Sequence, residues 1–154
     1  MRNEHVYAAE ASVANGAQDL SLEDTDRFLR EVKGSVLLEE LSGSVDNYKW
    51  IVGNLRLSES GERYHYAMSD GSIAVGRISS PDKGPVGYVP QARWVVLHEV
   101  AHVTNYLRRN GLGHDDGFIE DFISLVMEFE GEESANKLRE KLQYVPRHAS
   151  TSLR

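Results

Sequence analysis

The feature that most constrains this chain is a pair of histidines four residues apart inside an apolar helical pattern. His98-Glu99-Val100-Ala101-His102 has the spacing H-E-x-x-H. Residues four apart on a helix share a face, about 5 to 6 Å from each other, so both imidazoles can reach one ion while Glu99 lies beside it. The pattern predicts a zinc-binding helix that is buried on most sides by its neighbours, which are Trp94, Val95, Val96, Leu97, Val100, Ala101, Val103, Tyr106 and Leu107.

The competing interpretation is a core helix whose two histidines are hydrogen bonded and whose glutamate is ion-paired. It requires three polar groups on one buried face, and this is costly unless each group finds a partner. We therefore expect the metal-binding interpretation to hold.

Two histidines leave a catalytic zinc incomplete, because such a site uses three protein ligands and keeps one position open for water. His114 follows His102 by twelve positions. The Asn110-Gly111 pair ends a helix, and Gly113 lets the backbone reverse, so the His114 side chain can return to the motif. We predict His114 as the third ligand. The alternatives are three acidic residues nearby, Asp115, Asp116 and Glu120.

Length and cysteine content limit the possible architectures. The 154 residues fit a single domain, predicted over residues 1–145, with residues 146–154 as a flexible tail. There is no cysteine, which excludes disulfides and thiolate ligands and leaves His, Asp and Glu to bind a metal.

Charge and hydropathy limit the classes of partner that the chain can have. The formal net charge of −7 argues against extensive nucleic-acid binding, which needs clustered Lys and Arg. The N-terminus lacks the apolar core of a signal peptide, and no apolar run approaches membrane-spanning length. We expect a cytoplasmic protein that does not enter a membrane.

Helical signals occupy both ends of the chain and β-prone runs occupy the middle. Besides the motif helix, helices are predicted at residues 3–14, 22–33, 36–41, 117–130 and 133–142. Ser21 is expected to cap the second of these helices, and Asp115 or Asp116 the helix after His114. Strands are predicted at residues 50–57, 64–68 and 73–78, with a turn at 58–61 and a tight Asp-Gly hairpin at 69–72.

The fold class predicted from these elements is α+β, with a small, mostly antiparallel sheet packed on the motif helix. His65 lies between tyrosines on a predicted strand, where a histidine more often packs against a neighbouring strand than binds a metal, so it is left outside the site.

The stretch from Trp94 to His102 resembles the zincin superfamily of metallopeptidases. More narrowly, it is similar to a family of small metallohydrolases of actinobacteria and their phages, which carry a Trp-Val-Val-Leu lead into the motif and a third histidine in a His-Gly-Pro-x-Phe-like segment. Here His114 and Phe118 keep that spacing, whereas residues 115–117 read Asp-Asp-Gly. The stretch from Val6 to Glu10 is also similar to the family's N-terminus. The resemblance implies a zincin-like fold with a small twisted sheet above the motif helix.

Motif and resemblance together predict a zinc-dependent hydrolase that acts on a peptide or protein. Zinc lowers the pKa of its water to about 7 and polarises a carbonyl, while Glu99 would accept the water's proton as general base. The 73–78 strand, if it is the sheet edge over the cleft, would offer main-chain groups to an extended peptide. Tyr106 and Asn105 are candidate oxyanion helpers, and Asp115 or Asp116 could orient a ligand imidazole.

Two other functions stay open at this point. One is a zinc-stabilised binding or regulatory module without catalysis, which a fourth protein ligand would favour. The other is an antirepressor-type regulatory metalloprotease, in which Asp115, Asp116 or Glu120 would replace His114.

Overall fold

The structure, a computed structural model, is mainly helical with two small sheets, and it describes residues 2–60, 66–67, 69–76 and 88–143. Within these residues the helices are α1 (Arg2–Ala14), α2 (Leu22–Lys33), α3 (Val36–Ser42), α4 (Val45–Asn54), α5 (Ala92–Arg109), α6 (Asp116–Glu130) and α7 (Glu132–Leu142). The strands are β1 (Leu20–Ser21), β2 (Arg56–Ser60), β3 (Tyr66–Ala67), β4 (Ser72–Gly76) and β5 (Tyr88–Val89). The predicted α+β class is confirmed.

The motif helix α5 lies at the centre of the core. It packs against α2, α3 and α6 and against strands β3 and β4. Its residues 94 to 101 are all buried, and Trp94 contacts Phe122 of α6 edge to face, with ring centroids 6.0 Å apart. The prediction that this helix is buried on most sides is confirmed. None of the helices within the described residues has the length and apolar character needed to cross a bilayer.

Short polar side chains start several helices, as the sequence predicted for two of them. The Ser21 hydroxyl accepts a hydrogen bond from the Asp24 amide, and the Asp115 carboxylate accepts one from the Phe118 amide. Such caps satisfy amides that have no partner inside the helix. The cap of α6 is therefore Asp115, which leaves Asp116 as its first residue.

The predicted strand at 50–57 is wrong in its first half, because residues 45–54 form helix α4. The Ser44 hydroxyl caps this helix by accepting from the Asn47 amide at 3.1 Å, and Ile51 is fully buried. Packing and capping here override the β propensity of Trp50, Ile51 and Val52. The predicted turn at 58–61 is also wrong, since residues 58–60 continue strand β2.

The three-stranded sheet is mixed, and its order is β2-β4-β3. The longest ladder is parallel, with Leu57 opposite Ile73, whereas β3 pairs antiparallel with β4 and β1 with β5. The prediction of a mostly antiparallel sheet is wrong for that ladder. The condition that the 73–78 strand be the sheet edge is not met, because β4 lies in the middle of the sheet, between β2 and β3.

Strands β3 and β4 pair antiparallel around Asp70-Gly71, as predicted, but the predicted two-residue turn is wrong, because Ala67 pairs with Ile73 and residues 68–72 lie between them. The Asp70 carboxylate accepts a hydrogen bond from the Ser72 amide at 2.9 Å, and Gly71 has a φ of 93° that favours glycine. Residues 1, 61–65, 68, 77–87 and 144–154 lie outside the described residues. This includes His65, parts of two predicted strands and the predicted tail.

A buried carboxylate holds α5 and α6 together. Asp121 is fully buried on α6 and accepts hydrogen bonds from the Thr104 hydroxyl at 2.6 Å, from Arg108 Nη2 at 2.8 Å and from Arg109 Nη1 at 3.0 Å. A buried ionised carboxylate is tolerated only when it is paired and hydrogen bonded in this way.

Replacing Asp121 by alanine should lower the free energy of unfolding by about 3–5 kcal/mol, because it leaves the Arg108 and Arg109 guanidiniums and the Thr104 hydroxyl without their buried acceptor. Urea denaturation followed by circular dichroism measures the change. Glu120→Ala is the matched control, since this neighbouring carboxylate is 45% exposed and should cost at most about 1 kcal/mol. Equal effects of the two substitutions would contradict the assignment.

Candidate metal centre

Three imidazoles meet at one point of the fold. His98 and His102 lie on α5 and His114 lies in the loop between α5 and α6, and their ligand nitrogens are all within 4.8 Å of one another. His98 Nε2 and His114 Nε2 are 3.0 Å apart. His98 and His114 are buried, with 3% and 7% of their surface exposed, while His102 is half-buried. The predicted assembly of these residues is confirmed, and the cluster can bind a metal ion.

The loop after α5 brings His114 back to the motif. Asn110 ends the helix with a left-handed φ of 56°, and Gly113 has a φ of 68°. A Cβ on Gly111 would lie 2.5 Å from Asn105 Nδ2, so only glycine allows this close approach. The same Asn105 amide donates to Asp115 Oδ1 at 2.8 Å, which ties the loop to α5.

Aromatic rings enclose the three imidazoles. Phe118 stacks on His102, with ring centroids 4.3 Å apart and planes at 22°. Tyr7 of α1 stacks on His98, with ring centroids 5.5 Å apart and planes at 8°, and its ring is perpendicular to that of His114 at 5.1 Å. These contacts restrict the rotation of the rings, so the ligand nitrogens are held in position before any ion binds.

Glu10 was missed by sequence reasoning, as was Tyr7. Glu10 Oε2 lies 2.9 Å from His98 Nδ1, and the two side chains are 12% and 3% exposed. The available signal was weak: Tyr7 and Glu10 are three apart on a helix and so share a face, but nothing local connects that face to a motif 88 positions away.

Burial controls the ionisation of Glu99 and His102 in the metal-free site. Burial raises the pKa of Glu99 to about 7, with the nearby His98 opposing and Glu10 reinforcing the change. Burial lowers the pKa of His102 to about 3, and the charges of His98 and His114 lower it further. His102 is therefore neutral near pH 7, as a metal ligand must be. Glu99 Oε2 is buried and has no hydrogen-bond partner among the described residues.

The pKa of His98 is raised. Its burial, the largest single influence, acts downwards but is outweighed by the charge and hydrogen bond of Glu10 together with the charge of Glu99. The pKa of Tyr7 is also raised, first by burial and then by the negative charges of Glu99 and Glu10. Two acidic side chains, Glu10 and Glu99, therefore lie next to the imidazole cluster, and their negative charge favours a bound cation.

The three acidic residues that were predicted as alternative third ligands have positions away from the imidazole cluster. Asp115 caps α6, and Glu120 lies 3.8 Å from Arg109. Asp116 lies with both of them around a hollow beside Arg109. Within the described residues, no carboxylate joins the cluster of three imidazoles at ligand spacing. Of the predicted oxyanion helpers, Asn105 is buried and bonded to Asp115, whereas Tyr106 is 46% exposed.

A cleft of about 540 Å³ opens beside Glu99 and His102. Its walls come from α1, α4, α5, strand β3 and the 111–113 loop. They are largely apolar or aromatic, and the described lining residues are Tyr7, Trp50, Ala67, Ser69, Glu99, His102, Val103, Tyr106, Leu107, Gly111, Leu112 and Gly113. Glu99 carries the one carboxyl group among these described lining residues.

Protein purified without a chelator or a polyhistidine tag should bind about one Zn²⁺ per chain and release it on acidification, because the imidazoles then protonate. His114→Ala should weaken binding at least as much as His102→Ala, since each removes one nitrogen ligand. Competition with a chromophoric chelator measures the affinities. Asp116→Ala and Glu120→Ala are the controls, and a larger loss in either of them would identify an acidic third ligand instead.

Glu99→Gln should change how the stability of the metal-free protein depends on pH. The pKa of Glu99 is higher in the folded chain than in the unfolded chain, about 7 against 4.5. The protonated carboxyl therefore contributes its full share to the free energy of unfolding below pH 4.5, and this share is lost as the pH rises through 7. The variant should therefore gain stability relative to wild type between pH 5 and pH 8, by up to about 3 kcal/mol. Urea denaturation with excess chelator measures the difference, and a difference independent of pH would contradict the burial of an ionisable carboxyl.

No protein-family profile, curated protein or solved structure matches the chain. What this protein does must therefore be inferred from the geometry and chemistry of the three-histidine centre itself.

Proposed function

We propose that this protein is a zinc-dependent hydrolase that cleaves peptide bonds. The observation that carries the proposal is the convergence of three imidazoles next to a buried carboxyl, Glu99, one of whose oxygens has no partner. An unpartnered buried oxygen is costly in a purely structural site. It is expected of a general base whose partner is a water or a substrate.

The donor set fits zinc. His98, His102 and His114 would hold the ion, and three histidine nitrogens leave one coordination position open. In a tetrahedral zinc site with ligand bonds of 2.0–2.1 Å, two nitrogens are separated by roughly 3.3 Å, close to the 3.0 Å between His98 Nε2 and His114 Nε2. When bound, zinc supplies a Lewis acid that polarises a carbonyl and makes a water more acidic.

Glu99 would act as general base and then as general acid. It follows a ligand directly in sequence, so its side chain lies beside the imidazole cluster and also lines the cleft. Burial raises the pKa of Glu99 to about 7 in the metal-free site, and a bound cation would lower it, which favours the ionised carboxylate that a general base needs near neutral pH. In this role Glu99 takes a proton from the attacking water and gives it to the leaving amine.

The cleft supports a peptide substrate with apolar side chains. From Glu99 it runs along α5 past Val103, Tyr106 and Leu107, and Trp50 of α4 also lines it. Apolar and aromatic walls favour apolar or aromatic residues. Strand β3 also lines the cleft through Ala67, and none of the described strands pairs with the edge of β3 that faces away from β4, so an extended segment would pair there.

Glu99→Gln should leave Zn²⁺ affinity nearly unchanged and reduce peptide hydrolysis by at least about 100-fold, because the carboxylate is needed for proton transfer and not for coordination. Hydrolysis is measured on a peptide library in which apolar, acidic and basic residues flank the cleaved bond. Glu128→Gln is the matched control, since it makes the same chemical change on the exposed side of α6.

Two outcomes would contradict the proposal. Full activity in Glu99→Gln would exclude the base mechanism. A wild-type protein that cleaves no member of the library, and that holds zinc through four protein ligands, would be a binding or regulatory module.

A further inference from the structure

Both ring nitrogens of His98 have partners from other parts of the chain. Nδ1 lies 2.9 Å from Glu10 Oε2, and Nε2 lies 3.0 Å from His114 Nε2. The two nitrogens flank Cε1 and their bonding directions diverge in the plane of the ring, so a contact that holds Nδ1 also fixes the direction of Nε2. Because only 3% of the His98 surface is exposed, water has little access to either nitrogen.

The chemistry of Glu10 decides which nitrogen of His98 carries the proton. An ionised carboxylate only accepts hydrogen bonds, so Nδ1–H of His98 must be the donor. A neutral imidazole has one N–H, and its second nitrogen, Nε2, then keeps its lone pair. A metal ligand needs that lone pair.

We propose that Glu10 is the positioning residue of the metal centre: by accepting the Nδ1–H of His98, it fixes the tautomer whose Nε2 is free to bind the ion. The inference rests on the proposed metal site and adds to it a residue from the N-terminal helix. Carboxylates that accept from a ligand histidine in this way orient its ring and raise its basicity.

Helix α1 is well placed for this role. Val6 and Ala9 bury its inner side, and the helix packs against α7. One turn from Glu10, the Tyr7 ring lies nearly parallel to that of His98, at 8°. Helix α1 therefore holds His98 both at its edge, through Glu10, and on its face, through Tyr7.

A plain buried ion pair is the competing explanation, and it predicts the opposite effect. In that case Glu10 would stabilise a doubly protonated His98, whose Nε2–H blocks metal binding. Removing Glu10 would then increase the affinity for Zn²⁺, whereas removing a positioning residue decreases it.

The test compares Zn²⁺ affinity in wild type, Glu10→Ala, Glu10→Gln and the control Ser12→Ala, which changes an exposed residue of the same helix. Glu10→Ala should bind about 10- to 100-fold more weakly. Glu10→Gln should lose less, because its amide oxygen can accept the same hydrogen, and Ser12→Ala should equal wild type. An unchanged or higher affinity in Glu10→Ala, or an equal loss in Glu10→Gln, would overturn the inference.

A second measurement needs no variant. In the zinc-loaded wild type labelled with ¹⁵N-histidine, long-range ¹H–¹⁵N spectra should show a proton on Nδ1 of His98 and none on Nε2. A zinc-loaded protein with a bare Nδ1 would overturn the role of Glu10 but leave the proposed function standing. A wild type that takes up no Zn²⁺ would contradict the proposed function, and with it the positioning role.

Discussion

A buried polar group needs a partner, and helix α5 buries four of them: His98, Glu99, Thr104 and Asn105. Partners for three come from other elements. Asp121 of α6 accepts from Thr104, Asp115 in the loop accepts from Asn105, and Glu10 of α1 lies against His98. The positions of α1 and α6 around α5 therefore depend on satisfying this one helix. Glu99 differs, because one of its oxygens has no partner.

Two parts of α5 have different contacts: its last turn is fixed by ion pairs to α6, whereas its middle carries the histidines. Towards its C-terminus, Arg108 and Arg109 pair with the buried Asp121 and fix α6. With α6 fixed, the short loop between the helices can place His114 only near the motif. On the other side of the site, α1 closes over His98. The cleft reaches the cluster from the side of Glu99 and His102, which is where a substrate and a water would need to approach.

The sequence was sufficient to predict the features that depend on residues close together along the chain. The H-E-x-x-H spacing placed His98 and His102 on one face, the Asn-Gly and Gly113 signals placed the reversal before His114, and short polar residues marked helix starts. It could not predict Glu10, because its contact with His98 joins positions 88 apart, nor the parallel ladder of β2 and β4. Residues 50–52 were misassigned since β-branched and aromatic residues favour strands, while the capping of α4 by Ser44 and the burial of Ile51 depend on tertiary packing.

The most direct test of the central claim is anomalous scattering at the zinc edge from crystals of protein loaded with one equivalent of Zn²⁺. The account predicts one peak per chain, about 2.0–2.1 Å from a nitrogen of each of His98, His102 and His114, with the Glu99 carboxylate beside the ion but not bound to it. No peak at this position, or a peak coordinated by Glu99, Asp116 or Glu120 in place of His114, would contradict it.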